Sequence, residues 1–144
     1  MSDERTRSNR YSRVLRFASD LPGGHSKFVI RRDSRSGLFI TLSNPTLNSN
    51  YTDQRNVLYL CSSHDLVTWT QGSNLLFDDT GLALSPDDSV RFTGFHYVDW
   101  QFDGKDDEDI VMAARTAYRG ATSYHNSNRV TYKTISKWRA MVQV

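Results

Sequence analysis

"GFHYVDWQFDGKDDEDIVMAARTAY", residues 94–118, holds two runs of strand-forming residues about an acidic turn. The Asp-Gly pair at 103–104 is a hairpin signal, so "GFHYVDWQF" (94–102) and "IVMAARTAY" (110–118) read as paired strands. The first of them is unusual, because Asp99 stands between Tyr97 and Trp100. A strand that only filled a core would be richer in Val, Ile and Leu, and a water-facing one would carry Lys, Thr and Glu. By simple alternation Phe95, Tyr97 and Asp99 share one face, and His96, Val98 and Trp100 the other.

Working outward, the same organisation occurs earlier in the chain. "SKFVIRRD" (26–33) and "LFITLSN" (38–44) flank a short Ser/Gly turn and read as a hairpin. "NPTLNSNYTDQR" (44–55) is a polar loop, "NVLYLCSS" (56–63) a third strand, and "TWTQGSNLLF" (68–77) contains a fourth. Residues 78–90, "DDTGLALSPDDSV", read as a turn-rich linker. After the opening hairpin comes a second polar loop, "RGATSYHNSN" (119–128), and a further strand, "RVTYKTI" (129–135). No stretch keeps a 3.6-residue period beyond about two turns, so little helix is expected. Residues 1–14 are expected to be an irregular or disordered tail.

Two copies of one strand order, four strands and then three, suit two propeller blades, the last lacking its closing strand. A small β-sandwich of about seven strands has the same periodicity, and pattern alone leaves both open.

The chain has 144 residues, enough for one domain with a useful core. Its 24% charged and 12% aromatic content argue against disorder throughout. With 18 basic and 16 acidic residues the net charge is only +2, and no basic stripe is interleaved with stacking aromatics. Nucleic acid is therefore not an expected partner. No apolar run approaches the roughly 18 residues of a membrane span, so no membrane partner is expected either. The first ten residues, "MSDERTRSNR", lack the apolar core of a secretory signal, which gives the cytoplasm as the location for the sequence as written. A single cysteine, Cys61, provides no disulfide framework. The histidines at 25, 64, 96 and 125 form no close-spaced ligand pair, so neither metal nor cofactor is expected.

"SSHDLVTW" (62–69) resembles the S-x-D-L-x-x-W turn of five-bladed β-propeller glycosidases, a relative of the sialidase Asp-box. In such a turn Asp65 accepts bonds from its own backbone and Trp69 packs the outer strand onto the blade. The turn is one residue shorter than the strict box, and Val67 sits where that box has Gly. "LPGGHSKFVIRRDSRSGLFITLSN", "TDQRNVLYLCSSHDLVTW", "GFHYVDWQFDG", "DIVMAARTAY" and "HNSNRVTYKTI" follow in order. Together they resemble the C-terminal part of sialidase-like propeller glycosyl hydrolases of the BNR-repeat type. The resemblance spans about residues 15–139 and implies an all-β partial propeller. Its blades would be about 15–79 and 91–139, the last two of a five-bladed ring.

The resemblance also implies a carbohydrate-active domain fragment that contributes part of a sugar-binding active site. Asp99 would be the acid or base, Arg115 the anchor for a substrate carboxylate, and Tyr118 a sugar contact or phenolic nucleophile. Tyr97 and Trp100 would offer aromatic plates to a pyranose, and His125, Asn126 and Asn128 suit hydroxyl recognition. His25 and Lys27, beside the Gly-Gly turn, would add polar contacts. Plainer readings stand beside these: Asp99 as a loop anchor on backbone N–H groups, Arg115 as its ion-pair partner, the loop residues as ordinary turn formers. One acid and one arginine do not make a glycosidase, which needs a second carboxylate or an equivalent pair. The chain alone is thus expected to be inactive unless missing N-terminal blades complement it. The alternatives are a non-catalytic glycan-binding or interaction module, or an inactive truncated product. Open strand edges make self-association a further expectation.

Overall fold

In the computed structural model, residues 18–82 and 85–142 are described. The expected N-terminal tail, 1–14, lies outside them. The described residues form seven strands: β1 Ile30–Arg32, β2 Phe39–Ser43, β3 Val57–Ser63, β4 Thr70–Phe77, β5 Gly94–Asp103, β6 Asp109–Ala117 and β7 Arg129–Ile135. Consecutive strands pair antiparallel except β4 and β5, giving a four-stranded meander β1-β2-β3-β4 and a three-stranded one β5-β6-β7. The chain is mostly β, and neither sheet closes on itself.

The two sheets share one core. Ile40, Leu42, Leu58 and Leu60 from the first meet Val98, Trp100, Ile110 and Met112 from the second. Trp138, in a 3-10 turn at Trp138–Met141, is fully buried at the end of that core. Its ring lies 5.4 Å from Phe102, which meets Trp100 edge-on at 5.1 Å. The Trp138 indole N–H donates to Asp107 O at 2.8 Å. Burial of each such side chain stabilises by roughly 1.5–3 kcal/mol, and the fixed donors keep the rings from costing an unsatisfied polar group.

Polar clips set how the sheets meet. Asn44, after β2, is buried and donates from Nδ2 to Val57 O at 2.7 Å and to Phe95 O at 3.0 Å. Its Oδ1 accepts from Ser26 Oγ at 3.2 Å, so both ends of the amide are satisfied. Phe95 N donates to Arg55 O at 2.9 Å. The head of β5 is therefore held on both sides by the loop that joins β2 to β3.

One element departs from the linker expected at 78–90. Pro86–Phe92 is a short helix, α1. Ser85 caps it, accepting from Asp88 N, Pro86 opens the first turn, and Asp87 and Asp88 favour its positive end.

The turn at 62–69 behaves as its residues imply. Asp65 Oδ1 accepts from Val67 N and Thr68 N, both at 2.8 Å, and Leu66 takes the left-handed conformation between them. At the same end of the first sheet, Asp33 is buried and accepts two bonds from Arg139 and two from Ser36. Burial alone would raise this carboxyl, but the guanidinium and Ser36 bonds outweigh it and hold the pKa well below the usual range.

Candidate functional site: a basic aromatic pocket at the head of β5

Between β5 and β6 the register advances from His96↔Arg115 to Asp99↔Ala113, so three steps on one strand face two on the other. The extra residue is a β-bulge, and Tyr97 takes a φ of 48° within it. The bulge overturns simple alternation. Phe95 lies opposite Thr116 and is buried with Val98 and Trp100, while His96 joins Asp99 and Arg115 on the outer face. Trp100 is consequently a core residue at 3% exposure, its N–H spent on Val29 O at 3.1 Å, and not an open sugar plate. Tyr97, pushed outward, is 42% exposed.

Around Tyr97 the two polar loops converge. His25, Ser26 and Lys27 come from the segment before β1, Arg55 from the β2–β3 loop, His96 and Tyr97 from β5, and His125 from the β6–β7 loop. They enclose a cavity of about 160 Å³. Lys27 Nζ lies 4.7 Å and the Arg115 guanidinium carbon 5.3 Å from the centre of the Tyr97 ring, both within cation–π range.

The loop that carries His125 is pinned from below. His96 bonds Tyr124 O through Nε2, and its ring stacks on Tyr124 at 5.8 Å. Tyr124 OH donates to Asp53 Oδ2 at 2.5 Å, and Tyr124 N donates to Arg91 O at 2.7 Å. Arg55 Nε donates to Asp53 Oδ1 at 2.8 Å. Gly94 permits this packing: a Cβ there would meet His96 Nε2 at 2.6 Å and Tyr124 O at 2.7 Å.

Charge in the pocket is mostly positive. Burial pushes the His96 pKa down; its carbonyl bond opposes this, while repulsion from Arg55, His125 and Arg115 reinforces it. Burial would raise Asp53, but the bonds from Tyr124 and Arg55 outweigh it and leave the carboxyl below its ordinary value. The Asp53 bond in turn lifts the Tyr124 phenol. Asp53 and Arg55 are thus paired with one another, while Lys27 and Arg115 lie over the Tyr97 ring. Among the described residues no group of three His, Cys, Asp or Glu side chains is placed to hold a metal ion.

Of the residues singled out from sequence, Tyr97, Arg115, His25, Lys27 and His125 come together here. Asp99 does not. It lies two residues further along β5, where Oδ1 accepts from Trp100 N at 2.8 Å and from Arg31 Nη2 at 3.3 Å. Its ion-pair partner is therefore Arg31, not Arg115. Tyr118 lines a different cavity, with Asp78, Thr80, Phe92 and Arg119. Its hydroxyl donates to Asp79 at 2.7 Å, a bond that pushes the phenol pKa up, against ionisation to a nucleophile. Asn128 braces its own loop, accepting from Tyr118 N and donating to Tyr118 O and Arg119 O. Asn126 does the same with Thr122 and Ser123.

Arg55, His96, Tyr124 and Asp53 are site residues that alternation and motif reading pass over. The available signal was the repeat itself: the polar loops 44–55 and 119–128 occupy matching places in the two copies, so both reach the same end of the molecule. No match to this chain is found among protein-family models, curated proteins or solved structures.

Proposed function

We propose that the pocket at the head of β5 is part of a sugar-binding site, within a carbohydrate-active, sialidase-like propeller domain to which this chain contributes two blades. The sugar it takes carries a carboxylate. The observation that supports this reading is the placement of Tyr97. A bulge turns it outward as an aromatic plate, Lys27 and Arg115 lie over its ring, and Arg55, ion-paired with Asp53, lines the same cavity. A pyranose covers such a ring with its apolar face, and Arg115 anchors the acid by charge-assisted bonds. His25 and His125 complete the wall with groups that bond hydroxyls.

Hydrolysis is the parent domain's part of the proposal. Asp99 as its acid or base requires a second carboxylate group across the scissile bond, supplied by complementing blades. A second reading, a non-catalytic glycan-binding module, is favoured by the separation of Asp99 and Tyr118 into cavities of their own.

Calorimetric titration with N-acetylneuraminate and with glucuronate tests the binding claim. Saturable binding is expected, weakened about tenfold or more by Arg115→Ala and by Tyr97→Ala. Absence of binding, or affinity unchanged in both variants, overturns it. Co-expression with upstream blades separates the two readings: turnover that Asp99→Asn abolishes selects the hydrolase, and binding without turnover selects the module.

A further inference from the structure

The outer face of the second sheet carries a different feature. Asp99, Ala113 and Tyr132 lie in one cross-strand row, since Asp99 pairs with Ala113 and Ala113 with Tyr132. Opposed residues of neighbouring strands project to the same side, so the row spans about 9–10 Å with its smallest side chain in the middle. The result is a saddle, a phenol at one end and a carboxylate at the other. The next row, Gln101 and Val111, extends it. Arg31, reaching across from β1 with Nε on Trp100 O at 2.6 Å, closes one side.

Its floor is formed by the Val111 and Ala113 side chains and the β6 backbone between them, and its cavity measures about 250 Å³. That is below the ~300–1,000 Å³ of pockets for drug-sized ligands and suits a single ring. The polar groups stand on the rim. Asp99 uses Oδ1 for both of its bonds. Among the described residues its other oxygen, the Gln101 amide and the Tyr132 hydroxyl engage no partner. Tyr132 is 79% exposed, the most open large hydrophobic side chain among the described residues. A purely apolar occupant would leave the carboxylate and amide desolvated without partners, which is costly. A highly charged one would gain nothing from the floor. An uncharged ring with one apolar face and a girdle of hydroxyls satisfies both.

We infer that this saddle is a second saccharide subsite, one that takes a neutral pyranose stacked on Tyr132 with hydroxyls donated to Asp99 and bonded by Gln101. It is separate from the acidic-sugar pocket and does not depend on it: Arg31 is tied to Asp99 and Trp100, and no cation other than Arg31 lines the saddle among the described residues. Asp99 serves here as a hydroxyl acceptor, a role that needs no second carboxylate.

The test is an NMR titration of the intact chain with methyl β-D-galactopyranoside, methyl β-D-glucopyranoside and methyl α-D-mannopyranoside. At least one should give saturable shifts at Gln101, Val111, Ala113 and Tyr132. Tyr132→Ala, at an exposed position that folding tolerates, should weaken that affinity about tenfold, and Tyr132→Trp should preserve it. Gln101→Ala should weaken it while leaving N-acetylneuraminate binding at Tyr97 unchanged. No saturable shift with any of the three, or equal affinity in Tyr132→Ala, overturns the subsite. So does broadening of these resonances with protein concentration alone, which would make the face an interface between copies. Failure of the acidic probe at Tyr97 leaves the saddle result standing, so the two ideas fail separately.

Discussion

Gly94→Ala adds one methyl group at the point where a strand, a histidine and a loop meet. Gly94 and His96 lie two apart on β5, so a Cβ at 94 projects toward the His96 ring. It would stand 2.6 Å from Nε2 and 2.7 Å from Tyr124 O, nearer than side-chain carbons tolerate. Neither neighbour yields easily. The His96 ring is buried against Tyr124, and the Tyr124 backbone is tied to Arg91 O while its hydroxyl is tied to Asp53. Overpacking of this kind costs about 1–3 kcal/mol, and losing the His96–Tyr124 bond adds about 1 kcal/mol. A loss of about 2–4 kcal/mol should lower Tm by roughly 5–15 °C in a domain of this size.

The displaced element is the loop that carries His125, so acidic-sugar affinity should fall along with stability. Gly72→Ala supplies the control. A Cβ there meets Leu60 O at 2.8 Å and Met141 O at 3.1 Å, contacts that involve none of the pocket residues. It should destabilise by a similar amount and leave affinity intact. Urea unfolding, with amide hydrogen exchange over residues 118–128, reads both effects. A Gly94→Ala protein with unchanged midpoint and unchanged exchange in that loop would refute the packing described at the head of β5.

Other perturbations separate further parts of the structure. Tyr97→Gly should be more stable than Tyr97→Ala by about 1 kcal/mol in urea unfolding, because only glycine adopts a φ of 48° without strain; equal midpoints would contradict the bulge. Arg139→Ala leaves the buried Asp33 carboxylate with Ser36 alone and should cost about 3 kcal/mol, measured by the same assay. Asp33 and Asp53 both have carboxyls below their ordinary values, so their contribution is complete above the unfolded-state value of about 3.9. It is lost as pH falls through the lower folded-state values, and a comparison of unfolding midpoints at pH 7 and pH 3 should show the fall reduced in Asp53→Asn. Trp138→Ala should lose about 3–5 kcal/mol by cavity formation and the unpaired Asp107 carbonyl, as read by thermal unfolding.

The seven strands were legible because turn residues bracket each β-rich run and the order repeats. Boundaries were less so: β1 begins only at Ile30, since Ser26 is diverted to bond Asn44 and Gly23. Helix α1 carried its own signals in "SPDD", a cap residue, a proline at N1 and two acids, yet seven residues are too few to show a helical period. The site was half legible. Aromatic and cationic residue types near Tyr97 were visible, but their faces were assigned by strict alternation. A bulge adds one residue without a glycine to announce it, and everything before it changes sides. Tyr124 and Asp53 are joined by loop convergence across 71 positions, a contact that no local pattern encodes.

The most direct measurement is a 1H–15N map of the intact chain titrated with N-acetylneuraminate. If the cations about Tyr97 receive the acid group of a sugar, saturable shifts will gather at Lys27, Arg55, His96, Tyr97, Arg115 and His125 and need about tenfold or more sugar in Arg115→Ala. Shifts scattered elsewhere, or none at saturating sugar, would contradict a sugar site at the head of β5.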